Sequence, residues 1–198
     1  MSTSRSARAV YHHGELREAL VAAGLAILEE GGDPASLGLR EAARRAGVSA
    51  MAPYRHFSDK DALLAAVATV GFERLRADLA AADRGGEGQA ALVAQGAAYV
   101  AFAATHPGLF RLMFRSCSAA PPEALARASS DAFGVLASRV AVLMPAEHAA
   151  DEALRCWSLV HGMAVLALDG LFGAGSRGDC QAVVALAQRL LALDARGR

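Results

Sequence analysis

Residues 39–64 read LREAARRAGVSAMAPYRHFSDKDALL, and this stretch decides how the rest of the chain is interpreted. A short helix is predicted over Leu39–Ala46, and Gly47 can adopt the left-handed conformation that often ends a helix. Val48 then supplies an apolar anchor, and the Ser49 side chain can cap a second short helix. Two short helices joined by the turn AGVS predict a helix-turn-helix.

Pro53 is unexpected within this second short helix. With Ser49 as N-cap, Pro53 removes the first intrahelical hydrogen bond and crowds the Ser49 carbonyl. We therefore expect a first turn that is 3₁₀-like or shifted, with regular helix from Pro53 onward. The helix ends near Phe57, and Ser58–Asp61 has the pattern of a capping box that opens a long third helix.

The rest of the chain shows helical periodicity and no period-two strand. The apolar fraction is 54%, much of it alanine, and the aromatic fraction is 6%, a composition that favours helix over sheet. The predicted fold class is all-α, with an N-terminal three-helix helix-turn-helix DNA-binding domain (residues 1–60) and a C-terminal helical domain (residues 61–198). Besides the two short helices, seven others are predicted, at about 14–30, 58–82, 88–105, 107–116, 122–143, 147–172 and 179–195. The core of the first domain is predicted to contain Leu20, Ile27, Leu39, Ala43, Ala46, Val48, Phe57 and Leu63.

The distribution of charged residues along the chain is more informative than the net charge. The formal net charge is +0, which indicates no particular partner, but residues 38–60 carry five Arg/Lys against two acidic residues. Tyr54, Arg55, His56 and Lys60 can donate hydrogen bonds to phosphates, and Lys60 lies at a helix N-terminus, which also favours an anion. A solvated surface side chain is the alternative for each, and it is the favoured interpretation of Arg44 and Arg45.

Three sequence blocks resemble a known family. Residues 39–64 look like the DNA-binding segment of TetR/AcrR-type transcriptional regulators. HPGLFRLMF (106–114) and WSLVHGMA (157–164) resemble the subfamily whose C-terminal domain is named for its Trp, His and Gly. The resemblance implies a cytoplasmic homodimer, double-stranded operator DNA bound through the major groove, and a small-molecule effector. It also implies phosphate contacts by Tyr54, His56 and Lys60, a capping role for Ser49, and a base or phosphate contact by Arg40.

The chain departs from this family at the positions that would read bases. Ala50, Met51 and Ala52 cannot form hydrogen bonds through their side chains, so direct readout is predicted to be apolar contact, chiefly with thymine methyls, together with DNA shape. The predicted DNA-binding residues are Arg40, Ser49, Ala50, Met51, Ala52, Tyr54, Arg55, His56 and Lys60. The arm Ser2–His13, with Arg5 and Arg8, either follows the DNA backbone or minor groove or makes no contact.

The C-terminal half is predicted to bind the effector and to dimerise. Trp157 and His161 are four residues apart and share one helix face, where they add polar donors to an apolar wall. Core packing is the alternative for every aromatic residue of this set. The candidate pocket residues are Tyr99, Phe102, Phe110, Met113, Phe114, Phe133, Trp157 and His161. The candidate residues of an intersubunit four-helix bundle are Val160, Met163, Ala167, Val184, Leu186, Leu190 and Leu191.

Several other patterns do not support their usual interpretation. Gly173–Gly178 matches GxGxxG, but a helical pattern precedes it and too little chain follows for a βαβ unit, so no nucleotide cofactor is predicted. His12–His13 lacks further ligands, and the three cysteines have no metal-site spacing, so no metal is predicted. The uncharged run Gly88–Phe110 is interpreted as a buried helix rather than a membrane span. No catalytic residues are predicted; an enzyme and a helical protein-interaction module are the competing functions.

Overall fold

The computed structural model describes residues 13–31, 33–115, 121–172 and 180–196, and all regular structure in these ranges is helical. The predicted all-α fold class is confirmed. The described elements are α1 (His13–Glu29), α2 (Leu39–Arg45), the 3₁₀-helix η1 (Ala52–Arg55), α3 (Lys60–Arg84), α4 (Gly88–Thr105), α5 (Pro107–Met113), α6 (Glu123–Leu143), α7 (Ala146–Leu168) and α8 (Cys180–Arg196). The N-terminal arm through residue 12 and the Gly173–Gly178 loop lie outside the described residues.

The turn after α2 forms as the sequence predicts. Gly47 has a φ of 69°, and its N–H donates to the Arg44 carbonyl over 3.3 Å. The Val48 N–H donates to the Ala43 carbonyl over 3.0 Å, which completes a Schellman motif. Val48 packs against the core, as the motif's apolar residue usually does. This turn fixes the angle between α2 and η1.

The second short helix of the helix-turn-helix, η1, is a 3₁₀-helix rather than a regular α-helix. The Ala52 N–H donates to the Ser49 carbonyl over 2.9 Å, a bond across three residues, so the expected 3₁₀ character is present. The expected regular helix from Pro53 onward was wrong, because η1 ends at Arg55. The Ser49 hydroxyl does not cap it either, since η1 begins after Met51 with no side-chain cap bond.

Three helix ends differ from the sequence predictions. Asp59, not Ser58, caps α3: its Oδ1 accepts from the Ala62 N–H over 2.8 Å. α5 stops at Met113 instead of residue 116. α7 stops at Leu168 because Gly170, with a φ of 71°, forms a second Schellman motif there.

The helix α3 connects the two halves of the molecule. It packs against α1 on one side and against α4, α5 and α6 on the other. One hydrophobic cluster runs from Leu20 through Leu63 to Phe110, so no break in the core separates the halves. The approach of α3 to α5 is close: a Cβ on Gly71 would lie 2.7 Å from the Met113 sulfur.

The predicted core of the first unit is confirmed. Leu20, Ile27, Leu39, Ala43, Phe57 and Leu63 are buried, and Ala46 and Val48 are partly buried against them. No helix in the described part of the chain has both the length and the apolarity needed to cross a membrane.

Candidate functional site

The part of the helix-turn-helix around η1, called the tip below, presents two large side chains to solvent. Met51 is 71% exposed and Tyr54 is 46% exposed, although both belong to residue types that usually bury most of their surface. Pro53 and Phe57 are buried beneath them and hold η1 on the domain. Because a short helix with two buried anchors has little freedom to turn, its outward residues form a fixed surface.

The arginines near this tip differ in whether a nearby carboxylate pairs with them. The Arg44 guanidinium binds both carboxylate oxygens of Glu41, at 2.7 and 2.8 Å, while Arg45 pairs with Glu41 and with Glu30. Hydrogen bonds from Arg44 first and Arg45 second lower the pKa of Glu41 to about 2, so this carboxylate stays charged. Arg44 and Arg45 are therefore compensated, which agrees with their interpretation as surface residues.

Arg40 and Arg55 are different. Both are exposed and neither makes an ion pair with any residue in the described part of the chain. Arg40 lies in the first turn of α2, and Arg55 is the last residue of η1. An uncompensated guanidinium on each of two adjacent elements is an arrangement well suited to phosphate binding.

Lys60 has a partner in this structure. Its ammonium donates to the Ala35 carbonyl over 2.8 Å, which uses one of its three donors. The anion site expected at this helix N-terminus is already occupied by the Asp59 carboxylate, whose pKa is lowered mainly by the Ala62 N–H. An anion near Lys60 would therefore be bound by the Lys60 side chain rather than by the backbone N–H groups at the start of α3.

The other predicted DNA-binding residues lie around the same tip. Ser49 and Ala50 are exposed, and Ala52 and His56 are half-buried. All nine predicted residues belong to α2, η1, the segments around η1 and the first residue of α3.

A cavity of about 660 Å³ lies between α3, α4, α6 and α7. Four of the predicted pocket residues border it: Tyr99, Phe114, Phe133 and Trp157. Apolar side chains such as Phe72, Leu75 and Leu136 form most of the remaining wall. Its size is in the range of small-molecule sites.

The other predicted pocket residues do not border this cavity. Phe102, Phe110 and Met113 are buried in the main core, where they pack against other apolar side chains. His161 borders a second cavity of about 480 Å³, together with Phe110, Phe114 and the loop residues Asp33–Ala35.

A polar contact connects the two cavities. The Tyr99 hydroxyl lies 2.8 Å from Nδ1 of His161, and the Trp157 ring lies 5.4 Å from the His161 ring. Burial raises the pKa of Tyr99 and lowers the pKa of His161, so both groups are neutral near pH 7. The prediction that Trp157 and His161 share a helix face is confirmed.

A second polar group was missed from the sequence. Arg139 on α6 binds both oxygens of Asp83 on α3, at 2.7 and 2.9 Å, and the Gln95 amide on α4 donates to Asp83 over 2.6 Å. The available signal was Gln95 itself, a polar residue in the middle of an uncharged helix. Asp83 is 12 residues and Arg139 is 44 residues away from Gln95 in the chain, so only the fold shows the group.

Comparison with known families agrees with this geometry. Residues 20–67 match the family described as bacterial regulatory proteins, tetR family. Residues 92–192, about half of the chain, match the family described as tetracyclin repressor-like, C-terminal domain. The chain belongs to the TetR family. It is accordingly a DNA-binding transcriptional regulator.

Solved structures show the same fold as this TetR-family protein. A protein of unknown function from Rhodococcus sp. RHA1 is 34% identical, with a TM-score of 0.74 over 93% of this chain and 97% of its own. A tetR-family regulatory protein from Rhodococcus RHA1 is 21% identical, with a TM-score of 0.65 over 89% and 95%. The TetR-family regulator PfmR from Thermus thermophilus is 16% identical, with a TM-score of 0.63 over 96% and 98%. No curated protein sequence matches this chain.

Two of the residues predicted to form the dimer interface of this TetR-family protein are buried within the single chain. Val160 and Met163 are 6% and 5% exposed, because this face of α7 packs on α4 and α8. Their assignment to an intersubunit surface was wrong. Ala167, Val184 and Leu186 are half-buried, and the side chains of Leu190 and Leu191 lie outside the described residues.

The lowered pKa of His161 predicts a pH dependence of stability. In the unfolded chain His161 binds a proton below about pH 6.5, whereas in the folded TetR-family protein its pKa is lower. The stability that neutral His161 contributes is therefore fully present above pH 6.5, and it is lost as the pH falls toward the pKa of His161 in the folded state. His161→Asn, whose amide oxygen can replace Nδ1 as acceptor, should reduce this loss between pH 7 and 5. Urea unfolding at each pH measures it. The exposed His148→Asn on the same helix is the control, and an equal effect of both changes would contradict the prediction.

Proposed function

We propose that this protein is a cytoplasmic, homodimeric repressor of transcription that releases its operator when a small molecule binds. The observation that most supports this proposal is the tip around η1, where Met51 and Tyr54 are exposed beside Arg55, whose charge is uncompensated. Residues 1–60 would form the DNA-binding unit and residues 61–198 the regulatory unit, with α3 shared between them.

Recognition of bases would be largely apolar. Met51, 71% exposed directly before η1 (the recognition element), has the longest side chain of the three apolar residues 50–52, and it has no amide, hydroxyl or charged group that could read a base edge. We assign it, with Ala50 and Ala52, to contacts with thymine methyls in the major groove. Arg40 approaches a base edge or a phosphate, while Ser49, Tyr54, Arg55, His56 and Lys60 hold the backbone.

Uracil substitution tests this assignment. Replacing half-site thymines by uracil removes only the methyl group, so we expect operator affinity to fall about two- to five-fold at one or two positions. Competition binding with singly substituted duplexes measures the effect. Met51→Ala should remove the sensitivity at the same position. Unchanged affinity at every thymine would contradict apolar readout.

Dimerisation would place two recognition elements on half-sites about one helical turn apart. The surface we propose combines the outward face of α7 with α8. Leu154, Val165 and Leu166 are exposed on α7, and Ala167, Val184 and Leu186 remain in the proposed set. Gly162 lies between these exposed residues with open space around its Cα, so a second helix can approach closely there.

The cavity supports the proposed effector response. Phe72, Leu75 and Leu79 on α3 form one of its walls, and the same helix begins at Lys60 beside the DNA-binding tip. A ligand that favours one position of α3 would change the separation of the two recognition elements and lower DNA affinity. Trp157, His161 and Gly162 fit the Trp-His-Gly pattern, and we propose that subfamily for this C-terminal half.

Selection of duplexes from a random pool, followed by affinity measurements against salt concentration, tests the proposal. We expect a two-fold symmetric sequence whose log affinity falls linearly with log salt. Turnover of a substrate, or binding to a protein partner without any DNA preference, would overturn it. Titration of the selected duplex with a cavity ligand then tests the response to an effector.

A further inference from the structure

One of the residues that border the cavity has a buried acceptor without a hydrogen-bond partner among the described residues. Gln95 is 2% exposed and borders the cavity wall. Its Oε1 is the buried side-chain nitrogen or oxygen that lacks a hydrogen-bond partner within the described residues. Buried polar atoms without a partner are uncommon in folded proteins and often mark a site that a ligand completes.

The orientation of this amide follows from its neighbour. Asp83 lies 2.6 Å from the Gln95 amide nitrogen, and an ionised carboxylate can only accept hydrogen bonds. The Gln95 group facing Asp83 must therefore be the NH₂, which leaves Oε1 on the other side. Arg139 holds Asp83 in place with two hydrogen bonds and keeps the pKa of Asp83 low, so the carboxylate remains an acceptor.

The rest of the wall restricts the charge of a ligand. The charged residues bordering the cavity, in the part of the chain that the structure describes, are Glu152 and Arg155. These two are paired with each other at 2.9 and 3.0 Å. The wall thus offers no unpaired charge, and burying a charged ligand against its apolar side chains would be unfavourable.

We propose that the effector is an uncharged, mostly apolar small molecule with one hydrogen-bond donor, a hydroxyl or an amide N–H, that Gln95 Oε1 accepts. Gln95 is then the residue that selects donors over isosteric molecules without one. This inference rests on the proposed effector response, since it specifies which molecules the cavity takes. A site with a buried acceptor discriminates strongly against a ligand that leaves the acceptor unpaired.

Matched probes test it on the full-length protein. The sequence has one tryptophan, Trp157, and it borders the cavity, so its fluorescence reports occupancy directly. The probes are n-alkanols from hexanol to dodecanol and their methyl ethers, which accept but cannot donate. We expect the best alkanol to bind about ten-fold more tightly than its ether.

The variant Gln95→Met removes the acceptor with little change in volume. We expect it to bind the ether as before and to lose the preference for the alkanol, while Gln181→Met, at an exposed position on α8, retains that preference. Equal alkanol and ether affinities in the natural protein, no binding of either series, or a preference that survives in Gln95→Met would each overturn the inference. Retained ether binding by Gln95→Met separates loss of the acceptor from loss of the fold.

Operator affinity, measured on the same samples, separates this inference from the proposed function. Specific DNA binding without any alkanol preference would overturn only the ligand assignment. An alkanol preference at Gln95 without any change in DNA affinity would support the ligand assignment and contradict the ligand-responsive part of the proposed function. Absence of sequence-specific DNA binding would overturn the repressor proposal itself.

Discussion

Phe110→Ala is expected to lower the free energy of unfolding by about 3–5 kcal/mol, the usual cost of removing a buried aromatic ring. Phe110 is 2% exposed, and its ring lies 4.8 Å from that of Phe114, 5.6 Å from His161 and 5.7 Å from Tyr99. The surrounding rings lie on α4, on α7 and directly after α5, so they cannot collapse together into the space. For a protein of this size the melting temperature should fall by roughly 10 °C.

Phe133→Ala provides the matched control for this stability measurement. Phe133 is also aromatic and packs edge-on against Trp157, but it is 38% exposed. We expect it to cost clearly less, about 1–2 kcal/mol, because much of its surface already contacts water. Chemical unfolding at one fixed protein concentration is the measurement, since the proposed dimerisation would make stability depend on concentration. Equal costs for the two changes would contradict the assignment of Phe110 to the core.

Arg55→Ala is expected to weaken operator binding about ten-fold for each protomer, and therefore about a hundred-fold for a dimer. Arg55 is exposed at the end of η1 and has no ion-pair partner among the described residues, so its charge is available to a phosphate. Loss of one phosphate contact per protomer should reduce the slope of log affinity against log salt by about 2. All DNA sequences should be affected similarly, because a phosphate contact carries no base information.

Arg44→Ala is the control for Arg55→Ala. Its side chain is 70% exposed, on the neighbouring helix, but the Glu41 carboxylate compensates its charge. We expect a change in DNA affinity of less than about three-fold, in line with the small contribution of surface ion pairs. Fluorescence anisotropy with the selected duplex, at four or more salt concentrations, measures both variants. A loss for Arg55→Ala confined to one base position would identify Arg55 as a base-reading residue instead.

The local features of this protein were predictable because they depend on short stretches of chain. Gly47 ends α2, Pro53 forces 3₁₀ geometry in η1, and the apolar periodicity places Leu20 and Leu63 in the core. Each depends on backbone conformation or on helix periodicity, which a few neighbouring residues determine. The nine candidate DNA-binding residues were likewise chosen from one short stretch, residues 40–60.

Features that depend on the meeting of distant helices were not predictable. Whether Met163 faces a partner or its own chain depends on how α7 packs on α4 and α8, and its apolar character is the same in either case. Likewise, the cavity is bordered by Tyr99, Phe114, Phe133 and Trp157 but not by Phe102, although all are aromatic residues at helical spacing.

The amino-acid sequence by itself determined the family, the all-α fold and the exposed tip of the helix-turn-helix, because these follow from local propensity and a motif within 26 consecutive residues, 39–64. Only the tertiary structure decided which charges are free and which acceptor is unsatisfied. Arg45 and Arg55 are chemically identical, and only Arg45 has Glu30, the residue after α1, within hydrogen-bonding distance. Gln95 acquires its role from Asp83 on α3, which accepts its amide hydrogen bond and is itself held by Arg139 on α6. Electrostatic and hydrogen-bonding partners depend on distances of a few ångströms between segments, and only the packed fold sets those distances.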